Sequence, residues 1–216
     1  MKKQEVLKRY LLFIIGLFFI GMGIALTKKG ELGISPISSV ANVMSTKFPV
    51  LSLGTWLFLS YCLFLLAQIL ILRRKFPPVQ LLQLPLSYLG GFFTDLGVLV
   101  MAFLPNNGYV LKLLLVVLGS AVIGFGVALG VVANVMLNPP EAFVKVVAGK
   151  LNKEFGNIKI LLDSSWVALA IVLSLVFFRG QLIGIREGTV IAAFLVGTFA
   201  KLCRKPLEKC LTPLLK

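Results

Sequence analysis

The chain offers few side chains for chemistry. It contains no histidine, so histidine-based acid–base catalysis and histidine-ligated metal are excluded. Cys62, Cys203 and Cys210 have no metal-ligand spacing and read as reduced, structural thiols. An enzyme working in a membrane needs a nucleophile beside a base, or a metal cluster, and neither constellation is written here. No catalytic residue, metal or cofactor is expected. What remains are scattered acids, amides and hydroxyls. Asp95, in GGFFTDLGVL, is the acid nearest the middle of an apolar run. A carboxylate at that depth costs several kcal/mol unless it faces protein or water. It therefore marks either a solute path or a structural partner, such as an ion pair or a capped helix. Asp163, beside Ser164 and Ser165, lies near the start of a later run and reads as interfacial. Arg186 and Glu187 open the last run. They suit a charged gate at an outer mouth, although Glu187 is also favoured there by the helix dipole alone.

The elements that must position these groups are long apolar helices. Hydrophobic residues make up 58% of the chain, against about 45–50% in soluble domains. The runs are too long and numerous for a soluble core of 216 residues. Spans are expected at residues 10–26, 56–72, 81–104, 109–136, 158–178 and 188–202. The net charge is +14, but the basic residues cluster between runs without interleaved aromatics. They read as topology signals and headgroup contacts, with the bilayer rather than nucleic acid as partner.

One passage is written twice. With an offset of 103 residues, Gly16, Gly21, Gly23, Ala25, Leu26, Pro36, Val43 and Lys47 match Gly119, Gly124, Gly126, Ala128, Leu129, Pro139, Val146 and Lys150. Each copy is a glycine-rich span, then a small polar residue (Ser35, Asn138), then proline, then an amphipathic helix. Ser or Asn before Pro starts a helix, because the side chain caps free amides and proline lacks the N–H that would be unpaired. The expected fold is all-α: a polytopic membrane protein with six transmembrane helices in two three-helix repeats, 1–104 and 105–216. An odd number of spans per repeat inverts the second against the first. Both termini then fall on the cytoplasmic side with 16 of the 22 lysines and arginines.

The breaks before Pro36 and Pro139 each expose amides suited to an anion. Ser35, Ser38 and Ser39 are the candidate binding residues at the outer break, and Asn134, Asn138 and Glu141 at the inner one. The two short helices read equally as re-entrant elements or as anchors with apolar faces in lipid. Gly90, Gly91 and Gly197 read as packing positions.

GIREGTVIAAFLVG, residues 184–197, together with GIAL and LGISPISSV after the first run, resembles the YczE/YyaS/YitT group of bacterial integral membrane proteins, over nearly the whole chain. The resemblance implies a multi-pass protein of the bacterial inner membrane and fixes no substrate. Members of that group often carry an aromatic and an acid after the proline of GISP. Ile37 and Ser38 stand there instead. The functional expectation is a carrier of a small, anionic solute. A non-enzymatic accessory protein docking lipid or a partner is the alternative, and a homo-oligomer is left open.

Overall fold

A computed structural model describes residues 3–211 and 213. Lys2 and Lys216, which enter the charge count above, lie outside the described residues. The described chain folds into α1 (Lys3–Lys29), α2 (Ser39–Lys47), α3 (Leu53–Leu72), α4 (Gln83–Met101), α5 (Tyr109–Ala133), α6 (Pro139–Leu151), α7 (Phe155–Phe177) and α8 (Glu187–Leu211), joined by short 3-10 turns. Five of these helices are long and apolar enough to cross a membrane: α1, α3, α4, α5 and α7. The sixth expected span is the first part of α8. That helix runs on to Leu211, and Lys201, Arg204 and Lys205 dilute its apolar stretch.

Helices in lipid gain little from hydrophobic burial against each other, so close packing of small residues must hold them. α1 and α5 form the centre in this way, antiparallel and nearly backbone to backbone. A Cβ added at Gly23 would lie 2.7 Å from the Gly119 carbonyl, and one at Gly126 would lie 2.6 Å from that of Gly16. α4 lies against α1, with Gly21 at Phe93 and Thr94, and α8 against α5, with Gly124 at Val196, Phe199 and Ala200. Gly91 meets Gly54 of α3 as a packing position should. Gly197, expected to do the same, has nothing within 4 Å of an added Cβ.

Side chains tie the helix ends together at two levels. Arg9 Nη1 donates to the Ala133 carbonyl, so the start of α1 and the end of α5 share one end. At the other end Lys29 Nζ donates to Ala102 O, and Asn106 Nδ2 to Lys29 O. α2 sits at the Lys29 end and α6 at the Arg9 end, each packed against both α3 and α7. The reading of these short helices as lipid-facing anchors is corrected for α2. Ser39, Val40, Ala41, Asn42, Val43 and Ser45 are buried, and Val40 and Val43 pack on Ala170 and Ile185. α6 is held by Gln68 Nε2, which donates to Pro139 O, and by Phe143 against Phe64. Ser35 and Asn138 occupy the expected cap positions before proline, but neither side chain makes the capping bond.

Candidate functional site

The two proline breaks end in different states. At the Arg9 end, α5 stops at Ala133 because Asn134 turns left-handed, with φ 49°, a conformation asparagine tolerates better than most residues. The chain then loops to Asn138 before α6 begins. Across from it α3 ends at Leu72, and Pro77 and Pro78 prevent the helix from continuing. Between these ends opens a cavity of about 760 Å³, within the range of small-molecule sites. Its walls are apolar, from Leu72 and Val131 through Met136 to Val146, with Lys75, Lys145 and Lys150 at the rim and Gln80, Gln83 and Asn134 among the lining. No Asp or Glu is among the described residues lining it. Gln83 is buried in the wall and Gln68 behind it, and Gln68 Nε2 donates to Gln83 Oε1 at 3.3 Å. Gln68 Oε1 and Gln80 Oε1 are buried without a hydrogen-bond partner among the described residues. Ammonium groups over an apolar pocket suit a small organic anion, and the unpartnered Gln80 oxygen among the lining would accept from a donor group on it.

At the Lys29 end the equivalent break is sealed. Residues 32–35 lie against the start of α8. The Gly188 amide donates to Leu32 O at 2.7 Å, and the Ile34 amide donates to Thr189 Oγ1 at 3.3 Å. Gly33, at φ +115°, lets the loop turn where an added Cβ would strike Thr189 Oγ1. Asn42 Nδ2 donates to Gly184 O, which pins α2 to the loop before α8. Beneath lie Ile24, Ile34, Leu53, Leu57 and Ile123, a dry apolar plug.

The expected site residues distribute over these two regions and beyond. Ser35, Ser38 and Ser39 are buried under the clamp. The Ser35 and Ser38 hydroxyls bond each other at 2.9 Å, and Ser39 Oγ donates to Pro36 O. Arg186 and Glu187 form an exposed ion pair with each other beside the clamp. Asn134 lines the cavity and Asn138 stands beside it. Glu141 is on the back of α6, where Lys159 of α7 lies 3.8 Å away. Burial pushes the Glu141 carboxyl above the usual carboxylate range, against the pull of Lys159. Asp95 binds the start of α3: Ser52 Oγ donates to one oxygen at 2.6 Å and the Gly54 amide to the other at 2.8 Å. At the same end Lys112 donates to Glu31 and holds its carboxyl below the usual range. Lys75, Lys145, Lys150 and the three glutamines escaped the sequence reading. The lysines looked like topology signals, and the one available clue was Gln68, a lone amide inside an apolar run.

A family model described as a family of unknown function, DUF6198, matches residues 7–205. The chain belongs to that family. The DUF6198 match includes both breaks, the cavity and the clamp. The chain is also similar to the uncharacterized protein YyaS of Bacillus subtilis (strain 168). The two are 28% identical over 195 residues, covering 88% of this chain and 89% of YyaS. The likeness read from GISPISSV and GIREGTVIAAFLVG is upheld. No solved structure gives a significant match to this DUF6198 chain.

Proposed function

We propose that this protein is an integral membrane carrier of a small anionic solute, working by alternating access between two inverted repeats, 1–104 and 105–216. The observation that carries the reading is the unequal state of two equivalent breaks. The one before Pro139 opens on a basic cavity of about 760 Å³, and the one before Pro36 is clamped shut by Leu32 and Ile34 on Gly188 and Thr189. One open and one closed mouth is what a single state of such a carrier requires.

The inverted repeat is supported by contacts that survive exchange of the halves. Gly23 meets Gly119 and Ile123, while Gly126 meets Gly16 and Ile20; each set converts into the other by the offset of 103. Likewise α1 on α4 becomes α5 on α8, α2 on α3 becomes α6 on α7, and α2 on α7 becomes α6 on α3. The close packing of α3 on α4 has no equally extensive equivalent between α7 and α8, in keeping with a more open second half. The distribution of lysine and arginine supports a bacterial plasma membrane protein with the cavity and both termini facing the cytoplasm. Lys75, Lys145 and Lys150 support an anion as cargo.

The test is exchange in proteoliposomes loaded with a panel of labelled carboxylates and phosphate esters. At least one is expected to exchange above protein-free vesicles, and Lys75→Ala with Lys145→Ala is expected to raise its half-saturating concentration. The reading fails if no anion exchanges while the folded protein is recovered from the vesicles. A partner that co-purifies stoichiometrically in that case supports the accessory alternative.

A further inference from the structure

α6 separates two environments. Ala142, Lys145 and Val146 face the cavity, while Glu141 faces α3 and α7. On α7, Lys159 and Asp163 stand one turn apart, so two carboxylates share one ammonium. The geometry gives that ammonium to Asp163: Lys159 Nζ is 2.7 Å from Asp163 Oδ1 and 3.8 Å from Glu141 Oε1. The other Glu141 oxygen, Oε2, is buried without a hydrogen-bond partner among the described residues. Tyr61 of α3 is the titratable group on that side, and Phe64 of α3, Phe143 of α6 and Trp166 of α7 form a ring group between the same three helices. The Trp166 indole N–H is also buried without a partner. Apart from Lys159 and Asp163 on α7 and Tyr61 on α3, the nearest charge along its own helix is Lys145, which faces the cavity.

A carboxylate oxygen held out of water without a donor is relieved most cheaply by taking a proton. With all three groups ionised the cluster carries one net negative charge, and a proton on Glu141 brings it to zero. α6 also walls the cavity, so a closure that displaces it would change the distance from Glu141 to Lys159.

We propose that Glu141 is a proton-binding site of the carrier: Oε2 takes a proton from hydronium and leaves water, and the same O–H bond breaks by return of the proton to water when Lys159 Nζ closes on the carboxylate. This rests on the carrier reading and adds a titrating group to it. Burial, which holds the Glu141 carboxyl above the usual range, is consistent with it.

The first experiment needs neither cargo nor variant. Membranes holding the full-length protein are treated with an apolar carbodiimide, which captures protonated carboxyls in dry surroundings, over a pH series. Adducts are located by peptide mass spectrometry. Glu141 is expected to label, and to lose half its labelling at a lower proton concentration than an ordinary glutamate does. Absence of label at Glu141, a midpoint in the ordinary carboxylate range, or label at Asp163 in its place overturns the proposal. Infrared difference spectra supply a second reading. The band of a protonated carboxyl should titrate with the same midpoint and be missing from Glu141→Gln protein of unchanged elution volume; a band unchanged in that variant overturns the assignment. Failure of the carrier reading looks different, with Glu141 labelling as expected and no anion exchanging.

Discussion

Gly188→Ala tests the closed mouth directly. An added Cβ would lie 2.5 Å from Leu32 O, 2.9 Å from Leu32 C and 3.1 Å from Leu32 Cβ. The obstacle is backbone, which cannot rotate aside as a side chain would. The same carbonyl accepts the Gly188 amide at 2.7 Å, so relieving the clash also breaks the clamp's shortest bond. Overpacking of this kind costs about 1–3 kcal/mol, and the hydrogen bond adds about 1 kcal/mol. Alanine's better helix propensity favours the open and closed forms alike and cancels. The net, at least about 2 kcal/mol against the closed form, corresponds to a rise of roughly 30-fold or more in the open fraction. The reporter is Ser38→Cys, fully buried beneath the clamp, in a chain whose Cys62, Cys203 and Cys210 are replaced. Its rate of modification by a water-soluble maleimide follows the open fraction while the closed form dominates. Gly188→Ala should raise that rate roughly 30-fold or more. Gly197→Ala, where the new methyl meets nothing within 4 Å, should leave it alone. Equal rates in the two folded variants would refute the clamp.

Asp95→Ala removes both acceptors at the start of α3, and should lower the unfolding free energy by about 1–2 kcal/mol, read from its thermal midpoint in detergent. Asn106→Cys and Pro77→Cys should label from opposite faces of the membrane, because Asn106 is tied to Lys29 and Pro77 follows the end of α3 at the Arg9 end. Labelling of both from one face would refute the two-level arrangement. A Glu141 carboxyl raised in the folded state binds more protons there than in the unfolded chain. Its contribution to stability is therefore full below its unfolded value and is lost as pH rises through the folded one. Glu141→Gln should flatten that decline, and an unchanged slope would refute the shift. The exposed Glu31–Lys112 pair has the opposite sign: its contribution is present above the unfolded carboxylate value and fades as pH falls through the depressed one.

The apolar runs made the helices legible, and Pro36 and Pro139 made both breaks legible, because these signals are local. α8 was read too short. Its last third is charged, and Pro206 inside a helix looks like a stop in isolation. Asp95 shows a deeper limit. Sequence gives position along α4, but the start of α3 beside it is a matter of tertiary packing, so a solute path and a structural partner for Asp95 stayed open until Ser52 and Gly54 were seen to donate to it. The strings around Gly33 and Gly188 were both singled out, yet nothing in either says that Leu32 O meets the Gly188 amide. Lys75, Lys145 and Lys150 carried two messages at once, and the topological one masked the cavity rim.

The seam between α1 and α5 has a mechanical side. Most helix pairs mesh like gears, with side-chain ridges seated in grooves, and such a surface resists rotation until the teeth disengage. Gly16, Gly23, Gly119 and Gly126 remove the teeth at the points of closest approach and leave two backbones in contact. Such a seam resembles a plain bearing: weak Cα–H···O contacts of the kind close backbones make, each worth under about 1 kcal/mol, could be remade at neighbouring positions if one rod rolled on the other. Bulk restored at one of those four glycines meets the facing backbone and forces the two helices apart, so such a variant should lose stability as well as freedom of rotation.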